Sequence, residues 1–189
     1  NTSGIKSVRS DINITTTRKI RILHVAHNYI SVPHFGGVEV YVDRLVRHLP
    51  SEYESLVYYP NRLEPELREV ILLNTVNGSE KRHTFEGAYN PSVVTELERE
   101  IWFSKLLHEE RIDIVHFHHL SCHPLSLPLV ARSMGIPVIM SMPDFYPVCS
   151  HYNLVDNEQK YCNLTALPAV ACDICLGLQD NAIHGSQAS

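Results

Sequence analysis

Residues 20–49 impose the tightest constraint on the fold. Ile20 to Ala26 reads Ile-Arg-Ile-Leu-His-Val-Ala, a largely apolar run of strand length. A loop from His27 to Gly37 follows and contains Pro33, Gly36 and Gly37. Val38, Tyr41, Val42, Leu45, Val46 and Leu49 then recur at helical spacing and share one face. Pro50 stops that helix, because a proline nitrogen has no proton to donate to the ladder. A chain that opens strand, glycine loop, helix must bury the helix face against a sheet.

The same alternation continues. Ser55–Tyr59 and Glu69–Val76 are β-rich runs, and Asn77-Gly78 signals a turn. Asn90-Pro91 suits a helix cap with proline at the first helical position. The spacing predicts a helix from Ser92 to about Glu110, with Leu97, Ile101 and Leu107 among its apolar residues. Asp113–Phe117 is a fourth strand. A further helix ends at Met134, with Gly135 as its C-cap; Pro124 and Pro128 obscure its start. Pro137–Met142 is a fifth strand. This order predicts an α/β class protein, a Rossmann-like parallel sheet flanked by helices, with right-handed crossovers.

Length and composition fit one such domain. The chain has 189 residues, of which 44% are hydrophobic, enough for a buried core. Four regions are expected: a flexible Ser/Thr-rich leader (1–19), the Rossmann-like domain (20–142), an irregular Cys-rich segment of it (143–177) and a polar tail (178–189). A net charge of −5 argues against nucleic acid as a partner. No run reaches the roughly 18–20 apolar residues of a membrane span. No secretory segment is visible, so a cytoplasmic setting is expected, and the leader's few cations allow a peripheral place on a membrane surface. The start lacks Met and reads as a trimmed terminus.

In an open parallel sheet, ligands bind beyond the carboxyl ends of the strands. Three polar clusters fall there. The first strand runs into His27-Asn28 and then Gly36-Gly37. The fourth runs into His116, His118 and His119. The fifth runs into Asp144. Gly36-Gly37 before a helix suits close approach of a phosphate to free amides, or a plain tight turn. Glu39 favours the helix dipole. The His-x-His-His run could hold a metal or be a hydrogen-bonded strand end. Asp144 could accept a sugar hydroxyl, orient a base, or cap a turn.

Cys149, Cys162, Cys172 and Cys175 read C-x12-C-x9-C-x2-C. Four thiolates around Zn²⁺ would staple a segment that lacks a core of its own. Two disulfides, an iron–sulfur cluster or plain buried thiols are the alternatives. Cys122 lies outside the pattern and is expected to pack.

Several stretches together resemble a known family. Arg21-Ile-Leu-His-Val-Ala-His-Asn and Phe35-Gly-Gly-Val-Glu-Val-Tyr-Val look like the opening of family 4-type GT-B glycosyltransferases. Asp113-Ile-Val-His-Phe-His-His-Leu, Leu127-Pro-Leu-Val-Ala-Arg, Gly135-Ile-Pro-Val and Pro143-Asp-Phe-Tyr-Pro-Val-Cys resemble their following segments. The resemblance implies one half of a GT-B fold: the N-terminal, acceptor-binding domain of a retaining enzyme. Such an enzyme moves a sugar from a nucleotide-sugar donor to a glycan or lipid-linked acceptor in polysaccharide biosynthesis. It implies donor-phosphate binding at Gly36 and Gly37. His27, Asn28, His118 and His119 would bind the acceptor, and Asp144 would have a catalytic role. A cysteine-bearing tail is familiar in one subset, so Cys149, Cys162, Cys172 and Cys175 are expected metal ligands.

Two departures matter. Pro143 stands where the family commonly has His. The donor-binding C-terminal domain has no counterpart after the cysteine segment, so this chain alone is expected to be inactive. A binding subunit of a two-chain transferase and a non-enzymatic zinc or redox module are the competing expectations.

Overall fold

A computed structural model describes residues 18–30, 36–87, 93–146, 148–149, 151–156 and 158–162, together with residues 172 and 175. The leader is described only at Arg18 and Lys19, and the tail of residues 178–189 lies outside the described residues. The elements are β1 (Ile20–Val25), α1 (Gly37–His48), β2 (Tyr53–Pro60), β3 (Glu69–Asn74), β4 (Glu80–Thr84), α2 (Leu97–Glu109), β5 (Ile114–Phe117), α3 (Leu127–Ser133) and β6 (Val138–Met140). A single 3-10 turn spans Pro65–Leu67.

The strands form one six-stranded sheet in the order β4-β3-β2-β1-β5-β6. β2, β1, β5 and β6 are parallel to one another. β3 and β4 complete the sheet as an antiparallel hairpin on β2, so the expected Rossmann-like parallel sheet is present with an antiparallel edge. The reason is the connection. Only residues 61–68 separate β2 from β3, too short a stretch for a parallel crossover. β4 was not anticipated because Glu-Lys-Arg-His-Thr carries no apolar alternation. The expected turn at Asn77-Gly78 joins it to β3, with Gly78 in the left-handed region at φ 72°. Charge on an edge strand also discourages pairing with another chain.

Alternation along the strands divides the core into two layers. Leu23, Val25, Leu56, Tyr58, Val115 and Phe117 pack with Phe103, Leu106 and Leu107 of α2 and with Leu127 and Ala131 of α3. On the other face, Ala26, Val57, Tyr59 and Ile71 pack with Val42 of α1. A fully buried side chain such as Phe103 or Leu107 contributes roughly 1.5–3 kcal/mol of transfer free energy. The same alternation directs His24, His116 and His118 to the α1 face, where His118 meets the Tyr41 ring.

α2 starts later than the spacing predicts. Asn90, Pro91 and Ser92 lie outside the described residues, and residues 93–96 are not helical. The carbonyls of Val93 and Val94 instead accept hydrogen bonds from Leu125 and Ser126, at 3.1 and 3.0 Å. Leu97 and Ile101 are exposed, while Arg99 is buried with Phe103 and Leu107.

Charge is gathered at the amino edge of the sheet. Arg21 donates to Glu54 Oε1 at 2.8 Å, and Asp113 takes the Arg21 amide at 2.8 Å and Arg18 at 2.6 Å. These hydrogen bonds hold the Glu54 and Asp113 carboxyls below their ordinary pKa range. The polar residues that follow β1, β2, β5 and β6 gather at the opposite, carboxyl edge.

Candidate active site

β1, β2, β5 and β6 run parallel, so the residues that follow them emerge at one edge. They enclose a cavity of about 380 Å³. His27 and Asn28 line it from the loop after β1, and Gly36, Gly37 and Glu39 from the start of α1. Arg62 lines it from beyond β2, His119 and Ser121 from beyond β5, and Asp144 and Tyr152 from beyond β6. Of the predicted site residues, His27, Asn28, Gly36, Gly37, His119 and Asp144 therefore come together.

His118 does not join them. Strand alternation carries its ring under α1, where it is 1% exposed and its Nε2 lies 3.0 Å from His24 Nδ1. This places it apart from the expected acceptor-binding group.

Gly36 caps α1 with φ −115°, and neither it nor Gly37 takes a left-handed conformation. A tight turn therefore does not require these glycines. A side-chain carbon added at Gly37 would meet nothing within 4 Å. The residue leaves open space in front of the helix start, where the Gly37 and Val38 amides have no intrahelical partner. Glu39 closes the cap by accepting the Gly36 amide at 2.8 Å. Its other oxygen lies 3.3 Å from His27 Nε2, and the carboxylate is buried.

His119 and Asp144 form a second polar unit. The Ser121 amide donates to His119 Nδ1 at 3.0 Å, so the ring proton sits on Nε2. There it faces Asp144 Oδ2 at 3.3 Å. Asp144 Oδ1 accepts the Tyr146 amide at 2.9 Å, so this carboxylate also caps its turn. The His27 and His119 rings lie 4.2 Å apart, and Tyr146 covers His119 at 4.4 Å. Burial, followed by the neighbouring His119, pushes His27 down to about 4. Burial also lowers His119, against the opposing pull of Asp144. Both rings are neutral near pH 7. The cavity thus combines a helix start and one guanidinium with two carboxylates, Glu39 and Asp144, and two uncharged imidazoles.

Arg62, Ser121 and Tyr152 were not foreseen. Arg62 follows β2 in a loop without a motif; only the parallel direction of β2 would have indicated it.

All five cysteines carry free thiols, and Cys122 is buried as expected. Burial raises the Cys162 thiol, and the neighbouring Cys172, Cys149 and Cys175 raise it further, which puts the four in one neighbourhood. His151 adds an unforeseen neighbour: its Nε2 lies 3.7 Å from Cys175 Sγ. Among the described residues, however, metal-type side chains converge three at a time within 4.8 Å only at His24, His116 and His118, not at the cysteines.

The described residues form a mostly parallel Rossmann-like sheet flanked by helices, with a polar cavity at its carboxyl edge. Residues 35–161, about two thirds of the chain, match Glycosyltransferase Family 4, and the chain belongs to that family. Its fold is accordingly the N-terminal half of a GT-B enzyme, and its function is of the glycosyltransferase type. No curated protein and no solved structure matches the chain. Among the described residues no helix is long and apolar enough to cross a membrane.

Proposed function

We propose that this domain forms the acceptor-side wall of a retaining glycosyltransferase that uses a nucleotide-sugar donor. The observation that carries the reading is the meeting, in one cavity, of the open α1 start, Arg62 and the His119–Asp144 pair. As the glycosidic bond breaks, negative charge grows on the leaving diphosphate. The Gly37 and Val38 amides and the Arg62 guanidinium supply fixed positive potential for that charge, more useful in the transition state than before it. Asp144 accepts a hydroxyl of the incoming glycan or lipid-linked sugar, and His27, Asn28 and His119 shape the pocket around it. The Nε2 proton of His119 holds Asp144 in place, which offsets the loss of an imidazole at Pro143.

A second, donor-binding Rossmann-like domain closes the cavity from the opposite side and holds the nucleotide. The proposed setting is the cytoplasm, where cysteines stay reduced and available to a metal. Cys149, Cys162, Cys172 and Cys175 are proposed to hold a structural Zn²⁺. Its charge would reverse the mutual disfavouring of thiolates at Cys162.

The test is sugar transfer in the enzyme that includes the donor-binding domain. Gly37→Val fills the open space and is expected to weaken donor binding at least tenfold, with the thermal transition unchanged. Asp144→Asn is expected to lower kcat more than it raises donor KM. Unfolding by Gly37→Val, or unchanged kinetics in both variants, would remove the cavity from the reaction.

A further inference from the structure

Beneath α1, outside the cavity, three imidazoles meet in a layer that the rest of the face fills with Val, Ala, Ile and Tyr. His24 lies on β1 and pairs in register with His116 on β5, and His118 follows two residues later on the same face. One ligand-type atom from each lies within 4.8 Å of the other two. His24 Nδ1 and His118 Nε2 are 3.0 Å apart. Nitrogens around a tetrahedral cation with bonds of about 2.0–2.1 Å stand about 3.3 Å from each other, so small ring movements complete the set.

The surroundings already have the form of an outer shell. Ser55 Oγ lies 3.2 Å from His24 Nε2, and Ser141 Oγ lies 2.8 Å from His116 Nε2. Hydroxyls there fix ring orientation, as outer partners of metal-bound histidines do. His118 is the least satisfied of the three, because its Nδ1 is buried with no hydrogen-bond partner among the described residues. An imidazole–imidazole hydrogen bond accounts for the His24–His118 contact and Ser141 for His116 Nε2, but neither explains why three imidazoles gather in an apolar layer with one ring nitrogen unpartnered.

We propose that His24, His116 and His118 bind a divalent transition-metal cation of the zinc class, with water in the fourth position. The cation ties β1 to β5 under α1. It is independent of the proposed cysteine site and of the transfer reaction.

Co²⁺ is the probe, titrated into the metal-free full chain near neutral pH. Thiolate ligands give intense sulfur-to-metal charge transfer in the near ultraviolet; imidazole ligands give only weak visible bands. The expected result is visible absorption that keeps growing after charge transfer has saturated. His116→Gln should abolish that component. Ser141→Ala, a milder change at the outer hydroxyl, should weaken it roughly 10- to 100-fold with unchanged circular dichroism. If His116→Gln fails to fold, the Ser141→Ala titration decides. Cobalt absorption that always accompanies charge transfer, or binding indifferent to Ser141→Ala, would overturn the site.

Discussion

Glu39 shows how much one side chain can decide. A carboxylate in the first turn of a helix is ordinarily a surface complement to the dipole. Here it folds back onto the Gly36 amide, reaches His27 and is buried, so it becomes part of the cavity wall. Buried histidines at this edge have a measurable consequence. Burial pushes His123 down to about 3 and His27 to about 4. The unfolded chain takes up a proton at each below about pH 6.5, while the folded chain does not until far lower. The native state therefore binds fewer protons in that window, and stability must fall as pH drops through it. Two such groups cost together roughly 3–4 kcal/mol between pH 7 and pH 5. Urea unfolding at the two pH values measures this, and equal stabilities would mean that the two rings are not held neutral. At this scale much was legible: His27, Asn28, Gly36, Gly37, His119 and Asp144 follow strands or open a helix, so topology alone groups them. His118 was misplaced because adjacent residues at a strand end face opposite ways, and only the exact end of β5 tells which of His118 and His119 reaches the cavity.

At the scale of elements, the parallel strands and α1 were readable because each carries an apolar run or a one-faced stripe. β4 was not, because a solvent-facing edge strand needs no apolar residues and its pairing is supplied by the turn. α2 is a subtler case. Its predicted start fails because the carbonyls before it are engaged by the segment leading into α3. Its buried face also includes a cation that no hydrophobic pattern reveals. Arg99 donates to the Cys122 carbonyl at 2.9 Å and lies 5.0 Å from the centre of the Phe85 ring. Cys122 holds a left-handed φ of 65°, so this guanidinium fastens a turn that its own residue does not favour. Arg99→Leu is expected to lose about 1.5–3 kcal/mol, the range for a hydrogen bond to a charged group. A urea midpoint that does not move would show that the turn stands without it.

At the scale of the molecule, the amino edge of the sheet is braced by ion pairs and the carboxyl edge is left open, and the family assignment gives that asymmetry its meaning. The zinc staple proposed for the cysteine segment belongs to this scale, and the neighbourhood of four thiols favours it. Cys172→Ser, which leaves the histidine cluster untouched, is expected to raise hydrogen exchange around Cys149 and Cys162 while β1, β2 and β5 stay protected. Uniform protection in that variant would argue against a structural zinc at the cysteines. The central claim is that this domain supplies one wall of a two-walled active site. Its most direct test is nucleotide-sugar turnover by the chain alone and then with a donor-binding domain present. The account predicts no transfer by the chain alone and acceptor-dependent transfer when the second wall is added. Turnover by the chain alone at an ordinary enzymatic rate, about 1–10³ per second, would contradict it.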